Sequence, residues 1–215
     1  MTIPKTRFAV LIAMACLFAI SGDIAAQASH AHMGHVADSW GDAPDEAGLL
    51  PTASAEAEIA ALHAGLAARA SGLGSMKAHI GHVLNAIDPS VEPSGPGKGY
   101  GVVKAATGAA THIRLAANAD GASDNVKLHA NHVGTSADNV VQWAKRIVEL
   151  CAEVKATDDA AAAAEAAQEI EKLTQAILNG RDADGDGRTS WGEDEGGLEQ
   201  AAFHMNLMKR GEGMD

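Results

Sequence analysis

Aromatic side chains are nearly missing from this sequence. Its 215 residues hold three Trp, one Tyr and three Phe, so a core has to be filled by Ala, Leu, Val and Ile. The chain is long enough to close one compact domain around such a core. Alanine has the highest helix propensity, and small side chains let helices approach closely. The expectation is an all-α fold with β-structure excluded. Cysteine is as scarce. Cys16 and Cys151 are the two in the chain, so no intramolecular disulfide can form once an N-terminal leader is removed. Cys151 stands among Ile147, Val148, Leu150 and Val154 and reads as a buried, inert thiol. No CxxCH haem-attachment motif occurs.

Basic residues are also short. Sixteen Lys and Arg face 28 Asp and Glu, a formal net charge of -12. Nucleic acid and anionic membranes are excluded as partners, because binding phosphate needs Lys and Arg. Cations remain compatible with such a surface. Beyond the first 28 residues no apolar run is long enough to span a membrane, and the sequence names no protein partner.

The N-terminus reads as a targeting segment. Lys5 and Arg7 form a basic region, Phe8 to Ile20 an apolar one, and Ala26-Gln27-Ala28 fits a small-x-small cleavage site. Cleavage is expected after Ala28, which makes 1–28 a signal peptide. In a bacterial cell the product is periplasmic or secreted. A lipoprotein signal ending at Cys16 fits less well, since apolar residues continue past it.

Residues 29–50 lack a hydrophobic period and read as an irregular, His-containing arm. Residues 51–215 form the helical domain. Helices are expected over 54–70, 75–87, 102–118, 123–133, 136–154, 158–178 and 198–209. Their short links suggest an antiparallel bundle of about six helices with additions. In the first helix Ile59, Leu62, His63 and Leu66 share the inward face, and Ser136 is placed as an N-cap. Residues 88–101, with three prolines and four glycines, form a loop. Its Gly95-Pro96-Gly97-Lys98-Gly99-Tyr100-Gly101 run is not a nucleotide loop, because no strand precedes it and Gly99 stands where Ser or Thr belongs.

Residues 182–193 read Asp-Ala-Asp-Gly-Asp-Gly-Arg-Thr-Ser-Trp-Gly-Glu. A hard divalent cation needs six to eight oxygens. Asp182, Asp184 and Asp186 offer carboxylates at loop positions one, three and five, and Gly187 permits the sharp turn at six. Arg188 offers its carbonyl, Ser190 a direct or water-mediated contact, and Glu193 a bidentate carboxylate. This segment resembles the EF-hand calcium-binding loop, with every ligand position filled. A helix leads into the loop, but Gly196 and Gly197 interrupt the exit, and Thr189 replaces the usual aliphatic at position eight. The resemblance covers the loop and one helix and implies a static structural calcium site rather than a sensor.

Ten histidines are present. His30, His32, Met33 and His35 cluster in the arm and need no fold to bind metal weakly. Met76, His79 and His82 recur at three-residue spacing, and His129 and His132 repeat it as K-x-H-x-x-H-V. His204 stands with Met205 and Met208, and His63 and His112 stand alone. Two imidazoles three residues apart can serve one ion. On a helical wheel His63 and His112 fall inside apolar stripes, His79 and His129 at their edges, and His82 points outward. Five helices can thus each direct one His toward a shared interior, where three or four converging nitrogens make a transition-metal site; its candidate ligands are His63, His79, His82, His112, His129, His132 and His204. Imidazole suits several transition metals and thioether suits copper(I), which points to copper.

Glu-x-x-His, the mark of carboxylate di-iron helices, is absent. So are a nucleophile elbow, HExxH and a phosphate loop. The reading is therefore a non-catalytic, exported metal-binding protein with Ca2+ in the loop and copper or another transition metal on His and Met. Two alternatives stand beside it: a haem-binding or electron-transfer protein with bis-His ligation, and a calcium-stabilised scaffold with no transition metal.

Overall fold

The structure, a computed structural model, describes residues 27–214. Residues 1–26, and with them most of the proposed signal peptide, lie outside the described residues. The described chain is all-helical, with one isolated bridge between Ser39 and Ala47 and no β-strand. Helix α1 covers residues 27–37. It is followed by α2 (Leu49–Ala68), α3 (Leu73–Ile87), α4 (Val102–Asn118), α5 (Asp124–Ala156), α6 (Ala160–Asn179) and α7 (Leu198–Gly211). None of the described helices is long and apolar enough to cross a membrane.

Two helices organise the packing. Helix α2 lies against α3, α4 and α6, and α5 lies against α3, α4, α6 and α7. The inward face of α2 is almost pure alanine: Ala53, Ala57, Ala60, Ala64 and Ala67 are all buried. Side chains this small let several helices close on one. The expected apolar face of this helix is therefore wrong in part. Leu62 is 61% exposed and Leu66 38% exposed. Side-chain size suggested one face, whereas the need for close approach selected the alanine face.

Helix α5 corrects a second expectation. Residues 123–133 and 136–154 are not two helices but one of 33 residues. Ser123 caps it by accepting from the Val126 amide, and Asp124 and Lys155 suit the two ends of its dipole. Ser136 is no N-cap. It is buried in mid-helix, and its hydroxyl has no partner. The arm over 29–50 is a third correction, because its first part is α1. That helix is docked by Met33 and Val36 in the core and by Ser29 Oγ donating to the Ala116 carbonyl over 3.0 Å.

The glycine-rich loop after α3 is wrapped around a fully buried carboxylate. Glu56 of α2 accepts from the amides of Lys98 (3.0 Å), Tyr100 (2.9 Å) and Gly101 (2.9 Å). Asn85 accepts from the Gly97 amide. The loop amides that could cradle a phosphate are thus occupied within the protein. Gly101 has φ +84° and leads directly into α4, a conformation that favours glycine.

Candidate metal centres

Nine of the ten histidines meet in three groups of three: His32, His35 and His112; His63, His79 and His82; and His129, His132 and His204. The build is the same each time. One helix supplies a pair three residues apart, on adjacent turns of one face. A neighbouring helix supplies a single imidazole that faces both. The pairs lie on α1, α3 and α5, and the single rings on α4, α2 and α7.

The facing atoms are Nδ1 in every case. His112 Nδ1 stands 3.0 Å from that of His32 and 3.3 Å from that of His35. His63 stands 3.2 Å from His79 and 3.3 Å from His82. His204 stands 3.2 Å from both His129 and His132. Metal–imidazole bonds of 2.0–2.1 Å at a tetrahedral angle put nitrogens about 3.3 Å apart. The two spacings at each single ring match that value, and all three ligand atoms of each group lie within 4.8 Å of one another.

Hydrogen bonding alone does not account for this arrangement. A neutral imidazole carries one donor and one acceptor nitrogen. A single Nδ1 facing two others cannot make a full hydrogen bond to each, while a cation at the centre engages all three lone pairs. Electrostatics agree. Burial, reinforced by neighbouring imidazoles, lowers the proton affinity of His63, His112 and His204, in the last to about 4. Burial also lowers it in His32, His129 and His132. These six shifts favour the neutral imidazole, the form that binds metal.

The local sequence explains why the device recurs. The pairs sit in His32-Met33-Gly34-His35-Val36, His79-Ile80-Gly81-His82-Val83 and His129-Ala130-Asn131-His132-Val133. In each, the second residue and the final valine are buried and pin the helix, leaving both imidazoles at the edge of the core. The single rings end Ala60-Ala61-Leu62-His63, Ala109-Ala110-Thr111-His112 and Ala201-Ala202-Phe203-His204. The alanine three residues before each ring is fully buried, which makes room for the facing helix. The chain thus carries three copies of H-x-[GN]-H-V and three of A-A-x-H. The partial echo of K-x-H-x-x-H-V was one part of this pattern, and the arm belonged to it as well.

Several expectations change. The single shared interior expected to receive one His from each of five helices does not form, and the seven candidates divide among three sites. His82, expected to point outward, joins His63 and His79. His32 and His35 need the fold, because His112 completes their site. His30 stands apart, its Nε2 3.2 Å from Glu212 Oε2. Met33 occupies the place of Ile80 and Ala130 and is core, as are Met76, Met205 and Met208.

The loop 182–193 brings the carboxylates of Asp182, Asp184 and Asp186 within 4.8 Å of one another. Gly185 and Gly187 take φ of +80° and +84°. Asp182 accepts from the amides of Gly185 and Gly187, and Asp186 from that of Arg188. Glu193 lies outside the carboxylate group. Glu195 turns toward the loop instead and accepts from the Ser190 amide and hydroxyl. Cys151 is buried, and burial pushes its thiol up to about 12, which makes it inert.

No family model matches the chain, and no curated protein or solved structure matches it either.

Proposed function

We propose that this is an exported metal-binding protein that takes up three copper ions, one in each histidine triad, for storage, delivery or tolerance. The observation that carries the reading is the threefold repetition of one geometry, three Nδ1 atoms facing one centre with their closest approaches at 3.0–3.3 Å. Such a constellation arising once could be packing. Three copies on different helix pairs, each from the same two short motifs, argue for a shared ligand.

Copper is favoured by the donor set. Each triad is purely nitrogenous. It suits neither calcium nor magnesium, which require oxygen. Among first-row divalent ions copper binds nitrogen ligands most strongly, and copper(I) accepts three ligands. The methionines fill the core and no longer bear on the choice. Bis-His haem ligation is not supported, because the imidazoles of each site converge on one point and leave no slot for a macrocycle between them.

Export rests on the basic and apolar segments of residues 1–28. The loop 182–193 is proposed to hold calcium in a structural role, on the strength of its resemblance to EF-hand loops and the convergence of its three Asp carboxylates. The test is metal analysis of untagged protein. Three copper ions per chain are expected after loading and washing, and none retained by a variant lacking His63, His112 and His204. A stoichiometry unchanged in that variant refutes the reading.

A further inference from the structure

The three triads are repeats of one design, so their differences are informative. The clearest difference is aromatic. In the first site Trp40 contacts two of the three ligand rings, edge-on to His35 at 4.9 Å and 65° and tilted to His112 at 4.7 Å and 56°. Its indole is anchored by Nε1 donating to the Tyr100 hydroxyl over 3.1 Å. In the third site Trp191 lies flat on His132, with centroids 3.9 Å apart and planes 18° from parallel. Phe203 stands edge-on to His204 at 5.3 Å. Around His63, His79 and His82, among the described residues, the only aromatic rings in packing range are the three imidazoles themselves.

Three imidazoles leave a bound copper(I) ion coordinatively unsaturated. An incoming ligand removes the ion by adding at that free position before an imidazole leaves. An indole packed on the ligand rings blocks part of the approach and holds the rings in place. A triad without an indole has neither protection.

We infer that the three sites are of two kinds: the sites of His112 and His204 are roofed by tryptophan and retain their ions, while the site of His63 is open and is where copper is loaded and handed on. The inference rests on the proposed copper function and deepens it. It assigns Trp40 and Trp191 as positioning residues that set exchange rate, and it assigns the α2–α3 site the exchange role.

The test is competition. The protein is loaded with copper(I) under exclusion of oxygen and mixed with excess bathocuproine disulfonate, whose copper complex is read by absorbance. One equivalent is expected to leave in a fast phase and two at least tenfold more slowly. His63→Ala and, independently, His79→Ala should abolish the fast phase and leave two slow equivalents. Trp191→Leu, a change in a surface loop, should move a second equivalent into the fast phase while the far-ultraviolet circular dichroism stays unchanged. Release of all three ions in one phase overturns the division, as does a fast phase that survives both His variants. A Trp191→Leu variant with unaltered phases overturns the role of the indole. Failure to take up copper at all removes the proposed function itself, an outcome distinct from three ions leaving at one rate.

Discussion

The Nδ1 atoms of His129 and His204 lie 3.2 Å apart although 75 residues separate them along the chain. The contact joins α5 to α7. Every triad makes such a junction: α1 to α4, α2 to α3 and α5 to α7. An ion bound at each is therefore a cross-link between helices and should stabilise the fold by mass action. Copper loading is expected to raise Tm, with the rise reduced by about one third in His204→Ala. Calorimetry with and without copper checks this, and an equal rise in both proteins refutes the cross-link.

Each single ring should control one equivalent. His63→Ala, His112→Ala and His204→Ala are each expected to bind two copper ions instead of three, with little change in helicity. His30→Ala is expected to keep all three, because His30 pairs with Glu212 outside the triads. Equilibrium dialysis followed by metal analysis distinguishes these variants.

Acid should weaken the metal-free protein in a defined window. Burial holds His204 at about 4, below the ordinary 6.5, and shifts His63 and His112 in the same direction. As pH falls through 6.5 the unfolded chain takes up protons that the folded one refuses. Stability therefore falls with pH from 6.5 toward about 4, and this contribution levels off below that. Urea titrations in chelator between pH 7 and pH 4 should show the decline, and His204→Ala should show a shallower one. Identical slopes would argue against a neutral His204.

Glu56 should matter more to stability than any triad histidine. Its carboxylate is buried and accepts from three loop amides. Glu56→Ala leaves those amides unpaired, an expected loss of about 3 kcal/mol. For a domain of this size that is roughly 6–12 °C in Tm. Thermal unfolding measures it, and a loss near zero would mean that water replaces the carboxylate.

Calcium binding to the acidic loop should depend on Asp184, one of the three converging carboxylates. Asp184→Asn is expected to weaken calcium at least tenfold in isothermal titration. An isotherm identical to that of the parent protein would remove the loop from the list of metal sites.

Sequence and structure divide the explanation along physical lines. Helices α3, α4, α6 and α7 were legible to within two residues, because local periodicity and a flanking glycine (Gly72, Gly101, Gly180 and Gly197) mark them. So was the exclusion of a phosphate loop at 95–101. The continuity of α5 through Ser136 was not, since a serine can cap a helix or hide inside one, and only the neighbours decide. The face of α2 was not legible either, because a stripe of alanines signals little by hydrophobicity and acts only once other helices press on it.

What the sequence determined alone was chemistry: imidazoles in HxxH pairs, an oxygen-rich loop, and a core built from small side chains. These follow from residue type and short spacing. What tertiary structure decided was grouping. Nine histidines could have met in one interior or in none. They meet as three and three and three, because the ring that completes each pair comes from a different helix. That partner is fixed by which faces pack together, a long-range choice that no local pattern encodes.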